Sequence, residues 1–263
     1  MSKLIVFGGS GFLGKRICQN AVGRGLDVVS VTSSGSKPRQ LGPHEKWADK
    51  VEWTKGDVFK PHTYKHLLPD ASGVVHSMGI LLENQNYKKV VQSNDDLLGE
   101  IQSFFKTPNP MKKNVFNTYE KMNHESAIVL AETLIEVNKN KPAFAYISAD
   151  RGFPGIPSGY IESKRKAEFE LYQMQPNIRP ILMRPGFMFD ETNTTDTRTK
   201  LKNLLNVAGY ANETILLHLL DGLIRPPIST QVVANWCVDR LLDPEFHGPV
   251  LLDEMIHHRG AKV

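Results

Sequence analysis

Cysteine is scarce in this sequence, which contains only Cys18 and Cys237 among 263 residues. Both lie in apolar stretches with helical spacing. The sequence therefore favours two buried thiols in a reducing compartment over a disulfide or a metal site. His257 and His258 stand in a polar tail, and we expect no metal site there either.

Long hydrophobic runs and long runs of one charge are also missing. No stretch reaches the roughly 18 consecutive apolar residues of a transmembrane helix. The 32 basic and 28 acidic residues leave a formal net charge of +4. That mild excess does not predict nucleic-acid binding, but it is compatible with an anionic cofactor or an anionic membrane surface. The remaining composition is ordinary for a soluble globular protein with one main domain.

A presequence is the third absence. The first apolar run begins at Lys3, which leaves no room for a signal or transit peptide before it. On the residues alone we therefore expect a cytoplasmic protein.

Glycine, in contrast, is concentrated near the start of the chain. Residues 3–7 predict a buried strand, and residues 12–24 predict a helix. The turn between them fits two dinucleotide-binding patterns, G-x-G-x-x-G and G-x-x-G-x-x-G. Glycine permits a tight turn and lets a pyrophosphate approach the backbone amides at the helix start. The predicted phosphate-binding residues are Gly8, Gly9, Ser10, Gly11, Phe12, Leu13 and Gly14.

The end of the second predicted strand decides which nicotinamide cofactor we expect. NAD sites usually carry an acidic residue there, which holds the ribose 2′-hydroxyl. Here Thr32, Ser33 and Ser34 occupy that place, with Lys37 and Arg39 just beyond. Hydroxyls and nearby cations suit a 2′-phosphate, so the sequence favours NADP(H) over NAD(H). The alternative is that both cations belong to a solvated loop.

Strands and helices continue to alternate after this point. Residues 51–58 predict a third strand, and residues 74–79 predict a fourth strand with its turn. This alternation predicts an α/β fold, a Rossmann-like doubly wound parallel sheet that binds its ligand beyond the carboxyl ends of the strands. The further cofactor contacts expected there are Asp57, Val58, Ser77, Met78 and Gly79. In the alternative interpretation Asp57 only caps the next turn.

The second half of the chain supplies side chains that suit hydride-transfer chemistry. Ser148 ends a predicted strand, and Tyr160 and Lys164 lie four residues apart on one face of the next helix. A free tyrosine has a pKa near ~10, which a neighbouring lysine cation lowers. Such a tyrosine can donate a proton while the serine hydroxyl binds a substrate carbonyl. An exposed Tyr–Lys pair without a catalytic role is the alternative.

These features together resemble the atypical, extended short-chain dehydrogenases/reductases. The resemblance covers nearly the whole chain and rests on the turn at 8–14, Gly56, Asp57, Ser148, Tyr160, Lys164 and the segment 180–186, which includes Pro185. Within that family the chain looks like the branch that contains the NAD(P)H-binding accessory subunit of respiratory complex I. It looks most like the fungal mitochondrial members associated with the coenzyme Q (ubiquinone) biosynthesis complex. The matching stretches are residues 4–9, 76–84, 146–154 and 184–191.

The resemblance implies a place at the matrix face of the mitochondrial inner membrane and a role in ubiquinone biosynthesis. The implied partners are proteins of that biosynthesis complex, and the implied substrate is a lipophilic quinone precursor. The implied catalytic residues are Ser148, Tyr160, Lys164 and Asn123, while Tyr160, Lys164 and Pro185 also contact the cofactor. Some members of this branch bind the nucleotide without turnover. A catalytically silent assembly or regulatory subunit is therefore the alternative to an NADP-dependent oxidoreductase.

We divide the chain into an NAD(P)-binding domain, residues 1–190, and a small C-terminal substrate lobe with a closing helix, residues 191–263, within one globular unit. A polar insert at about residues 83–118 interrupts the first domain and is a lid, a partner surface or a flexible segment. Residues 214–224 are apolar on nearly every side. They predict core packing, with the lining of an apolar pocket or a peripheral membrane contact as alternatives.

Overall fold

The computed structural model of the protein describes residues 2–38, 45–80, 118–151, 157–192 and 225–257. Within them, seven parallel strands form one sheet in the order β3-β2-β1-β4-β5-β6-β9. Its strands are β1 (Lys3–Phe7), β2 (Asp27–Thr32), β3 (Val51–Lys55), β4 (Ala71–His76), β5 (Ala143–Ile147), β6 (Arg179–Arg184) and β9 (Gly248–Leu251). Two short strands, β7 (Met188–Phe189) and β8 (Ile228–Ser229), pair beside it.

The central strands β1, β4 and β5 are largely apolar because both faces of the sheet are covered there, whereas the edge strand β3 has polar and exposed positions. All five residues of β5 are buried, and so are the last four of β1. The covering helices are α1 (Gly14–Gly23), α2 (Ser126–Val137), α3 (Ser158–Gln173), α4 (Thr230–Leu242) and α5 (Leu252–His257).

Two hydrophobic cores lie on opposite faces of the sheet. Ile17 of α1 and Val233 of α4 belong to one core, which also contains Leu4. Leu130 of α2 and Leu171 of α3 belong to the other. Helices on both faces of a parallel sheet are the doubly wound arrangement, so the fold prediction is confirmed.

Several boundaries differ from those that the sequence pattern predicts. Apolar spacing predicts a helix from about Tyr119 to Asn138, but this segment begins as a π-helical turn, Glu120–Glu125, and becomes α-helical at Ser126. The sequence also predicts a short helix over residues 62–68, and the structure has a pair of short 3₁₀ turns there. The expected polar tail around His257 is the end of α5. Such ends are set by tertiary contacts, which local periodicity does not encode.

Much of the predicted insert and of the C-terminal lobe falls outside the described residues. This applies to residues 83–117 of the insert, to the apolar segment 214–224, and to Arg39 and His258. The division at residue 190 therefore stays a prediction. In the part of the chain that the structure describes, no helix is both long enough and apolar enough to cross a membrane.

Candidate functional site

The glycine-rich turn joins β1 to α1 through close backbone contacts. Gly8 has a φ of +85°, and its amide donates to the Val31 carbonyl at 3.0 Å. The Gly8 carbonyl in turn accepts from the Gly11 amide at 2.9 Å. A Cβ on Gly14 would stand far closer to that carbonyl oxygen than the 3.0 Å that real Cβ atoms keep. The turn has no room for a side chain at Gly14, as the close packing of a phosphate-binding turn requires.

The remaining residues of the turn divide between a buried and a solvent-facing side. Leu13 is part of the hydrophobic core, and Gly9 is buried against the hydroxyl of Ser30. Gly11 is exposed, while Ser10 and Phe12 are half-buried. The exposed side lies directly before α1, where the positive end of a helix attracts anions.

The hydroxyl residues after β2 form a short polar turn. Thr32 is buried, and its Oγ1 accepts from the Gly35 amide at 2.9 Å. Ser33 and Ser34 are exposed, and Ser34 Oγ accepts from the Ser36 amide at 3.3 Å. The hydroxyls of Thr32 and Ser34 act as acceptors in these bonds, so each keeps its proton for donation to a ligand.

Lys37, expected at the 2′-phosphate, instead forms an ion pair with Asp49. Lys37 lowers the pKa of the Asp49 carboxyl through a hydrogen bond and through its charge. Arg39 lies outside the described residues.

Asp57 lies just beyond the end of β3, and one of its oxygens is already used. Oδ1 accepts from the Phe59 amide at 3.1 Å, and Oδ2 lies 3.7 Å from Lys60 Nζ. Val58 is buried in the core. The bond from the Phe59 amide to Asp57 Oδ1 is that of a turn cap, which is the alternative interpretation of Asp57. The Asp57 side chain is also 46% exposed, so its carboxylate can still accept a hydrogen bond from a ligand.

The turn after β4 meets the glycine-rich turn directly. The Ser77 amide donates to the Phe7 carbonyl at 2.9 Å. A Cβ placed on Gly8 would lie 2.9 Å from the Ser77 carbonyl oxygen and 3.1 Å from Met78 Cγ. Gly79 stands on the far side of this turn, where a Cβ would lie 3.1 Å from Lys164 Nζ. The turn after β4 thus connects the glycine-rich turn to the surroundings of Lys164.

Lys164 is a buried lysine, with a relative exposure of 3%. Its Nζ donates to the Ile147 carbonyl at 2.7 Å and lies 4.8 Å from the centre of the Tyr146 ring. Burial lowers its pKa to about 7, and the charge of Glu168 opposes this shift only in part. An ammonium has three donors, so Lys164 has donor capacity left on the side of Gly79.

Asn123 lies in the π-helical turn and is fully buried. Its Oδ1 accepts from the Ile80 amide at 2.9 Å, while its Nδ2 donates to the Ile80 carbonyl at 3.2 Å and to Ser163 Oγ at 3.3 Å. Asn123 therefore holds the chain after Gly79 against α3. In this geometry it positions backbone rather than pointing freely into a cleft.

Tyr160 is half-buried in the first turn of α3, one turn before Lys164. Its ring meets the ring of Tyr119 edge-on, with 6.1 Å between the centroids. Tyr146 is buried nearby, and its pKa is raised mainly by that burial and further by the negative charge that Tyr160 would carry. Tyr160 is thus the more accessible phenol of the two.

Ser148 follows the end of β5 and is buried. Its Oγ accepts from Arg165 Nη1 at 3.1 Å. Arg165 also pairs with Glu168 at 2.8 Å, and Glu168 pairs with Arg184 at the end of β6. A serine oxygen that accepts from a cation keeps its own proton for donation. Pro185 follows Arg184, and its carbonyl accepts from the Asp150 amide at 2.8 Å.

Sequence reasoning missed Arg165 and Glu168 as parts of the site. Their neighbours Tyr160 and Lys164 matched a motif, whereas the contact of Arg165 with Ser148 joins residues 17 apart in the chain. The one available signal was the spacing of Arg165 and Glu168, because residues three apart on a helix face each other.

A second cluster that the sequence did not reveal links α1 to the segment after β7. Asp190 is buried, lies 2.9 Å from Lys15 and 3.1 Å from Arg16, and accepts from Thr192. Although its burial opposes ionisation, the hydrogen bonds from Lys15 and Thr192 and the charge of Lys15 lower the pKa of Asp190 to about 2. The ion pairs hold the start of α1 in place next to the glycine-rich turn. Among the described residues, no group of three or more His, Cys, Asp or Glu is arranged to hold a metal ion.

The chain is similar in sequence to a yeast protein along nearly its whole length. No protein-family model matches the chain. It is 48% identical over 272 residues to MIOREX complex component 2 of Saccharomyces cerevisiae, a match that covers 97% of this chain and 98% of that protein.

Solved structures share the fold at much lower identity. A short-chain dehydrogenase/reductase from Serratia marcescens superposes with a TM-score of 0.59 at 13% identity, and the match covers 95% of both chains. The UDP-N-acetylglucosamine 4-epimerase of Bacillus cereus superposes with a TM-score of 0.53 at 15% identity, over 95% of this chain and 76% of the other. These likenesses show a common Rossmann-like architecture.

Proposed function

This chain belongs to the family of yeast MIOREX complex component 2, and from that premise and its Rossmann-like fold we propose that it is an atypical short-chain dehydrogenase/reductase that binds a nicotinamide dinucleotide. The cofactor would lie along the carboxyl edge of the sheet, over the turns after β1, β2 and β4. The observation that carries this proposal is the turn at residues 8–14. Its glycines leave space only for backbone, and it opens onto the amino end of α1.

Within this proposal, Gly8 to Gly14 would hold the pyrophosphate. Asp57 and Val58 would border the adenine, and Ser77, Met78 and Gly79 would line the path to the nicotinamide. Lys164 has donor capacity beside Gly79, which suits the hydroxyls of the nicotinamide ribose. We favour NADP(H) over NAD(H), because the end of β2 carries Thr32, Ser33 and Ser34 and no acid.

The same geometry supports a hydride-transfer reaction as the first candidate activity. A bound nicotinamide supplies or accepts the hydride. Tyr160 would hold the proton for the substrate oxygen, and Ser148 would donate a hydrogen bond to that oxygen while Arg165 holds the serine in place. Lys164 would tune the phenol from one helical turn away.

For the biological setting, we propose mitochondrial ubiquinone biosynthesis at the matrix face of the inner membrane. The support is the resemblance carried by residues 4–9, 76–84, 146–154 and 184–191, and the similarity to a yeast protein that is named as a component of a complex. The substrate would be a lipophilic quinone precursor, and the partners would be other proteins of that assembly. A cytoplasmic location is the alternative.

A second candidate function is a nucleotide-binding subunit without turnover. One observation favours it: the 48% identical yeast relative is named for a complex and not for a reaction. In that case bound NADP(H) would stabilise the folded subunit through its binding energy alone. Assembly of the complex would then depend on the supply of the nucleotide.

Two substitutions separate these functions in cells that lack the native protein. Gly11→Asp places a carboxylate beside the phosphate-binding turn, where an added Cβ would lie 3.0 Å from the Gly8 carbonyl oxygen. Tyr160→Phe removes only the phenolic hydroxyl. We expect Gly11→Asp to abolish NADPH binding, measured by fluorescence titration, and to lower the ubiquinone content of the cells.

The outcome with Tyr160→Phe decides between the candidates. Loss of ubiquinone with normal NADPH binding supports the oxidoreductase, and normal ubiquinone supports the subunit without turnover. Gly23→Ala is the matched control, because nothing lies within 4 Å of a Cβ at Gly23. Unchanged NADPH affinity in Gly11→Asp would refute the binding site itself.

A further inference from the structure

We propose that Lys55, the last residue of β3, recognises the 2′-phosphate of the cofactor and so determines the preference for NADP(H). This inference rests on the proposed function, because it assigns a role within the same nucleotide site. The sequence indicates Lys37 and Arg39 for this role, and Lys55 is a further cation that the fold supplies.

The register of the sheet brings Lys55 to the place where cofactor preference is decided. β2 and β3 are parallel, and Thr32 pairs with Lys55 at their carboxyl ends. Paired residues on adjacent strands project to the same face of a sheet. Thr32 and Lys55 therefore project together at the edge where a ribose 2′-substituent lies in this fold.

The polar turn after β2 packs on Lys55 itself. Gly35 has a φ of +66°, and a Cβ there would lie 2.8 Å from the Lys55 amide nitrogen and 2.9 Å from Lys55 Cβ. Gly35 also donates its amide to Thr32 Oγ1. The stem of Lys55 thus adjoins the turn that carries Ser33 and Ser34.

The ammonium of Lys55 is available for a ligand. Lys55 is exposed, and within the described ranges its side chain makes no ion pair and no hydrogen bond. Lys37 differs, because it pairs with Asp49. A 2′-phosphate at this place would accept a charge-assisted hydrogen bond from Lys55. It would also accept neutral hydrogen bonds from the hydroxyls of Thr32, Ser33 and Ser34.

The test compares two fragments that differ by the 2′-phosphate alone, 2′,5′-ADP and 5′-AMP. Affinities are measured by isothermal titration for the wild type and for Lys55→Ala and Lys55→Glu. We expect the wild type to bind 2′,5′-ADP about tenfold more tightly than 5′-AMP, as one charge-assisted contact to phosphate provides. Lys55→Ala removes most of that preference, Lys55→Glu removes all of it, and neither changes the affinity for 5′-AMP.

Two lysines serve as matched controls. Lys50 is exposed just before β3, at the opposite edge of the sheet, and Lys37 is the rival cation. Lys50→Ala and Lys37→Ala should both keep the wild-type ratio. The preference of the wild type should also shrink as salt is raised, because the contact is exposed.

The outcomes that overturn the inference differ from those that overturn nucleotide binding. Three results would refute the role of Lys55 and leave the dinucleotide site standing. In the first, Lys55→Ala keeps the wild-type ratio of affinities for 2′,5′-ADP and 5′-AMP; in the second, Lys37→Ala loses it. In the third, the wild type binds both fragments equally tightly. If the wild type binds neither fragment and neither NADPH nor NADH, both proposals fail.

Discussion

The two ends of the candidate site are built from different materials. Around Gly8 and Gly14 the walls are backbone packed against backbone, with no space for a further carbon atom. Around Ser148 and Lys164 the walls are charged side chains, among them Glu168 with an exposure of only 4%. The first end should therefore respond to added volume and hardly to pH, whereas the second should respond to charge and pH.

The largest effect is expected at Gly14. Gly14→Ala would force its Cβ into the Gly8 carbonyl, so the turn must move or strain. We expect a loss of roughly 3 kcal/mol in the free energy of unfolding together with loss of NADPH binding, measured by urea denaturation and fluorescence titration. Gly23→Ala should be neutral or slightly stabilising because alanine favours a helix. Equal stability of the two variants would show that the turn is looser than its backbone contacts indicate.

The next effect is expected at Glu168, the buried partner of Arg165 and Arg184. Glu168→Gln leaves two half-buried guanidinium groups without their counter-charge, which should cost about 2 kcal/mol of stability after allowance for the water around both arginines. NADPH binding should stay within about twofold, because Glu168 lies at the charged end. Glu162→Gln, at an exposed position on the same helix, is the control. A Glu168→Gln protein as stable as that control would mean that the cluster is no more than a surface arrangement.

A smaller, pH-dependent effect is expected from Lys164. Its pKa in the folded protein is about 7, whereas an unfolded lysine has a pKa near ~10.4. Between these values the unfolded chain binds the proton that the folded chain has lost, so stability rises with pH through that window. Below about pH 7 both states are protonated, and the cost of burying the charge is then at its full size.

Comparison with Lys164→Met isolates this contribution. From pH 7 to pH 9 the free energy of unfolding should rise by about 2 kcal/mol more in the wild type than in Lys164→Met, as linkage requires. The measurement is urea denaturation of the nucleotide-free protein across that range. If the free energy of unfolding changed equally with pH in both proteins, Lys164 would stay protonated in the folded state. The charged end of the site would then be no more sensitive to pH than the glycine-rich end.

Local patterns predict the parts of the site that consist of neighbours in the sequence. The strand, turn and helix at residues 3–23 follow from a branched apolar run and from glycine spacing, because steric limits on φ act within a few residues. The spacing of Tyr160 and Lys164 is likewise a property of one helix. By contrast, nothing local marks Arg165 as a partner of Ser148, or Asp190 as a partner of Arg16 across 174 positions.

The sequence by itself determined an α/β chain with a nucleotide-type turn at its start, because periodicity and glycine chemistry are local properties. Only the tertiary structure decided which charges meet. It paired Lys37 with Asp49, buried Lys164 beside Gly79, and set Lys55 next to Thr32. The physical reason is that strand register and helix packing are chosen by the whole core. A side chain's partners, and with them its pKa, follow from that choice and not from its neighbours in the chain.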